Sequence, residues 1–137
     1  MLLLLVISAI GLVLSAVIHI CAIFHIFDPP RELITLIHMG GFVVVYSAWI
    51  ISKKLRGEYD IKDFKNAMRS VCPRWMAIMT GLLIMYALAG LIFFFFRRHF
   101  ASPASINGFT GHWMVLYALA FTMLYSCRCL KKAHDGR

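Results

Sequence analysis

Four long apolar runs set the limits on what this chain can become: residues 2–27, 33–52, 75–96 and 109–127. Each is close to the roughly 20 residues that carry a helix across a hydrocarbon core of about 30 Å. Together they use most of a chain of 137 residues, 61% of them hydrophobic. In lipid a backbone must satisfy its own amides and carbonyls, and a helix does so within one segment. The sequence therefore predicts an all-α fold, an integral membrane four-helix bundle, as a single transmembrane domain over 1–137. The first run is not read as a secretory leader. No Lys or Arg precedes Leu2, and the run far exceeds a leader's apolar core of about 7–15 residues.

Charge gives the orientation. Lys53, Lys54, Arg56, Lys62, Lys65, Arg69 and Arg74 separate the second and third runs, and Arg128, Lys131, Lys132 and Arg137 follow the fourth. Only Arg31, Arg97 and Arg98 lie on the other side. The positive-inside rule then puts both termini and the middle loop in the cytoplasm. Most of the net charge of +8 faces the anionic headgroups of that leaflet. Nucleic acid is not the expected partner, because these cations flank spans and form no separate basic domain.

The connectors carry their own signals. Asp28-Pro29-Pro30 ends the first helix and leaves a tight antiparallel hairpin with the second. In the middle loop Asp60 can cap a short helix, with Ile61, Phe64, Met68 and Val71 recurring at steps of three and four. That spacing predicts a basic amphipathic helix on the inner leaflet, ended by Cys72-Pro73. Trp49 and Trp75 are expected at the inner interface and Trp113 at the outer one, as an aromatic belt. Cys21, Cys72, Cys127 and Cys129 read as free thiols, because a lone C-x-C pair lacks the ligands of a metal site. The small-residue pairs Gly11/Ser15 and Ala77/Gly81 predict close helix contacts.

Five of the six histidines fall near the outer end: His19, His25, His38, His99 and His112. At about 1.5 Å per residue, His19 lies roughly 12 Å inside its helix, His38 about 8 Å and His112 about 5 Å. Ser8, Gly11, Ser15, His19 and Ala22 share one stripe, whose small residues predict an inward face. Ser15 then stands one turn from His19 as a hydrogen-bond partner. His38, Gly41, Val45 and Trp49 share a stripe of the second helix, and His112, Val115, Leu119 and Ser126 one of the fourth.

An ionisable side chain within a membrane points to function by default, and three readings compete for these histidines. In the first, two of His19, His38 and His112 are axial ligands of a b-type haem in an electron-transfer component. Gly40, Gly41 and Gly111 would give the macrocycle room, and Arg97 or Arg98 would meet its propionates. In the second, His38 and His112, with His25 or Asp28, hold copper or zinc at the outer face. In the third no cofactor binds. The imidazoles then hydrogen-bond locally, and the protein is a helper: an accessory subunit, or an immunity protein that blocks a pore-forming toxin. No catalytic triad, phosphate-binding loop or intramembrane carboxylate is visible, so no catalytic residue is assigned.

Cys72-Pro73-Arg74-Trp75-Met76 and Gly111-His112-Trp113-Met114 together resemble segments of uncharacterised small bacterial four-helix integral membrane proteins, which carry CP-x-WM and GHWM. The likeness covers about the second half of the chain. It implies a bacterial inner membrane, supplies no activity, and draws attention to His112.

Overall fold

The apolar runs do become helices, but two of them outlast their apolar residues. The computed structural model describes residues 1–24, 26, 30–58, 63–98 and 112–136. Among these are five α-helices and no strand: α1 (Leu2–Ile23), α2 (Arg31–Glu58), α3 (Phe64–Val71), α4 (Arg74–Arg98) and α5 (His112–Asp135). Helices α1, α2, α4 and α5 are long and apolar enough to cross a membrane.

Helix ends differ from the apolar boundaries for local reasons. Helix α1 stops at Ile23, short of the prolines. The Ile26 amide donates to the Cys21 carbonyl at 3.0 Å, five residues back, which closes the last turn early. Helices α2 and α5 run on through Lys53, Lys54 and Arg56, and through Arg128, Lys131 and Lys132. Lys and Arg are good helix formers and complement the negative end of the helix dipole. Residues 109–111 of the fourth run lie outside the described residues.

The extensions seat α3. Its N-cap is Asp63, whose carboxylate accepts from the Asn66 amide at 3.3 Å; Asp60 lies outside the described residues. Phe64, Ala67, Met68 and Val71 pack against Leu55 of α2 and Cys127 and Leu130 of α5. The apolar face of this short helix is thus turned onto the bundle.

Helix α5 is the hub, in contact with each of the other four helices. Its buried residues include Trp113, Tyr117, Ala120, Leu124 and Cys127. The α1 stripe of Ser8, Ser15, His19 and Ala22 is buried as its small residues predict, and Gly11 lies against the Tyr117 ring. Ser15 donates its hydroxyl to the Leu12 carbonyl of its own helix at 3.0 Å. In α2 the buried stripe is Ile37, Gly41, Val44, Ala48, Ser52 and Leu55, one residue round from the expected one; Trp49 is half exposed. Trp113, the second residue of α5, is buried against its neighbours at 3% exposure.

Tyr117 holds three helices together. Its ring lies against Gly11 of α1, its hydroxyl against Gly40 of α2, and Leu116 fills the space beside Gly41. Its hydroxyl donates to the Ile37 carbonyl at 2.8 Å. A methyl group at Gly11 would collide with this ring, whereas one at Gly81 would meet nothing within 4 Å. Overpacking of this kind typically costs about 1–3 kcal/mol. Gly11→Ala should therefore lower the midpoint of thermal unfolding in detergent. Gly81→Ala should leave it unchanged or raise stability by up to about 1 kcal/mol through helix propensity.

Candidate functional site

The histidines expected to act together separate into two places. His38 on α2 and His112 on α5 meet with ring centroids 4.9 Å apart and planes at 72°. Both are half-buried. Trp113 stands 5.8 Å from His38 and 5.5 Å from His112, and Phe42 stacks on His38 at 5.2 Å. The α2 and α5 backbones approach closely at Gly41, and this brings the two imidazoles into reach one turn further along.

His19 is elsewhere. Its Nε2 makes a 2.6 Å hydrogen bond with the Tyr86 hydroxyl of α4, and the two rings meet edge to face at 5.6 Å. His25 and His99 lie outside the described residues. His134 is exposed near the far end of α5.

Trp113 is unusual within the cluster. Its buried Nε1 meets no hydrogen-bond acceptor among the described residues. The sequence places Trp113 next to His112 but gives no sign that it is buried. Tyr86 and Phe42 carried no signal beyond aromatic character on an apolar helix.

Beside the pair lies an apolar cleft of about 290 Å³ between α2, α4 and α5, lined by Phe42, Ile84, Leu91 and Leu116. His112 and Tyr86 supply its polar side chains among the described residues.

A b-type haem fits this arrangement poorly. With about 2 Å from metal to nitrogen and about 1 Å from nitrogen to ring centre, axial imidazoles stand about 6 Å apart across the macrocycle. The observed 4.9 Å edge-to-face contact leaves no slot between the rings. The room expected at Gly40 and Gly41 is taken by Tyr117 and Leu116, and Gly111 lies outside the described residues. Two imidazoles on a tetrahedral ion stand about 5 Å apart by the same reckoning, which matches the pair. Among the described residues, however, no three His, Cys, Asp or Glu side chains gather as a metal site. Cys21, Cys72, Cys127 and Cys129 are free thiols.

Comparison with family models, with curated proteins and with solved structures finds no match to this chain.

His19 and Tyr86 tie α1 to α4, so Tyr86→Phe should loosen that contact without touching the His38–His112 pair. A hydrogen bond between membrane helices is worth about 0.6 kcal/mol on average and up to about 1.7. A loss of stability in that range, measured by unfolding in mixed micelles, is expected for Tyr86→Phe.

Proposed function

We propose that this chain is a small multi-pass protein of the bacterial inner membrane, with both termini inside, that binds a copper or zinc ion through His38 and His112 at its outer end. The observation that carries the reading is the 4.9 Å spacing of those two rings, contributed by helices far apart in sequence. Imidazole suits both metals. His25, the third histidine assigned to such an ion from the sequence, lies outside the described residues, so the proposal stands on the two imidazoles. Bound copper would supply a one-electron redox centre, consistent with an electron-transfer role; bound zinc would tie α2 to α5. The b-type haem reading, with His19 as an alternative ligand, draws less support because His19 is engaged with Tyr86.

Purified protein, produced with ample haem, copper and zinc, tests this by elemental analysis and an optical spectrum. The expected outcome is stoichiometric copper or zinc that falls at least tenfold in both His38→Ala and His112→Ala. Tyr86→Phe should keep it. A Soret band that shifts on reduction would overturn the metal reading in favour of haem. Protein free of both would leave the helper role, as accessory subunit or immunity protein, and a partner retained in mild detergent would identify it.

The orientation is tested separately by reporters fused after Arg137. A reporter active only in the cytoplasm is expected from the excess of Lys and Arg at that end. Activity on the far side would reverse the placement of the histidine pair.

A further inference from the structure

The opposite end of the bundle holds a second cavity, with different chemistry. It has a volume of about 360 Å³ and lies between α3, α4 and α5. Arg69 of α3 and Arg74 of α4 both line it, together with the apolar walls of Met68, Ala77 and Met123 and the hydroxyl-bearing Ser126. No carboxylate lines it among the described residues. Arg69 and Arg74 are exposed, so their guanidinium groups remain accessible. Two guanidiniums above an apolar wall match an amphiphile whose charged group is a phosphate, because Arg presents a planar fork of donors to its oxygens.

On α4 the cavity is lined by Arg74 and Ala77, which begin a longer stripe. Arg74, Ala77, Gly81, Ile84 and Leu88 recur at steps of three and four and therefore share one stripe. Gly81 faces open space. Ala77 and Gly81 are both exposed, and their small side chains leave a shallow trough on the outer face of α4 that starts at the two arginines. The docked α3 is what brings Arg69 over this trough, since Phe64, Ala67, Met68 and Val71 fasten it to α2 and α5.

We infer that this cavity is a binding site for one anionic glycerophospholipid, its phosphate held between Arg69 and Arg74 and an acyl chain lying along Ala77 and Gly81. The site is distinct from the histidine pair and does not depend on the metal reading. It also differs from diffuse attraction to a charged leaflet, which would weigh every surface cation alike.

Native mass spectrometry of the full chain released from nanodiscs of mixed phosphatidylglycerol and phosphatidylcholine tests the assignment. Retention of phosphatidylglycerol over phosphatidylcholine is expected. The double variant Arg69→Gln/Arg74→Gln should lose at least tenfold of that retention, while Lys131→Gln/Lys132→Gln, which removes equal charge from the exposed end of α5, should keep it. Ala77→Phe, with both arginines intact, should also lose it by filling the trough. This variant decides the matter if the arginine double variant fails to fold. Equal losses in the two charge variants, or no preference for the anionic lipid, would overturn the site. Displacement of the lipid by millimolar glycerol phosphate would reassign it to a soluble phosphate ester and equally overturn the proposal.

Discussion

The structure depends on one side chain, Tyr117, seated where three helices meet. Lipid tails are as apolar as leucine, so membrane helices gain little from hiding apolar surface and must associate through close packing and shared polar groups. Tyr117 supplies both. Its ring lies against Gly11, and its hydroxyl lies against Gly40 and reaches the Ile37 carbonyl. The glycines allow α1 and α2 to come close only because this side chain occupies the space they leave. Among the described residues α5 is the most buried of the spans and the only helix in contact with all the others, as this seat requires.

Once α5 is fixed against α2, the histidines are fixed as well. His112 opens α5, and His38 lies one residue from the Ile37 carbonyl that Tyr117 engages, so the two imidazoles come together over Trp113. His19 belongs to a second polar contact, with Tyr86 of α4. Thr80 and Thr122 add a third, hydroxyl to hydroxyl at 2.9 Å between α4 and α5. Helix α4 buries little of itself, and these two bonds are what register it against the rest. His19 and Thr80 thus connect α4 to its neighbours, whereas Ser8, Ser15 and Ser52 bond to carbonyls of their own helices.

The two ends of the bundle carry opposite chemistries. One gathers imidazole and indole beside an apolar cleft. The other extends α2 and α5 with cations and docks α3 between them, so that Arg69 and Arg74 border one cavity. A donor-rich nitrogen cluster favours a metal ion or an acceptor oxygen, whereas paired guanidiniums favour phosphate. The proposed metal site and lipid site follow from that division.

Four apolar runs of spanning length were enough to give four apolar helices, because lipid leaves the backbone no other way to satisfy itself within one segment. The inward stripe of α1 was equally legible, since Ser8, Gly11, Ser15 and His19 repeat at helical spacing among large apolar residues. Periodicity says which residues share a face, but not how far one helix slides or turns against the next. For α1, α2 and α5 that register rests on Tyr117 and the three glycines, which bring His38 to His112; for α4 it rests on the contacts of Tyr86 with His19 and of Thr80 with Thr122. It also buried Trp113, a side chain whose burial its place near a helix end does not reveal. The extension of α2 and α5 past their apolar limits was invisible because hydropathy marks where lipid ends, whereas Lys and Arg continue a helix beyond it while Leu55 and Leu130 still pack against α3.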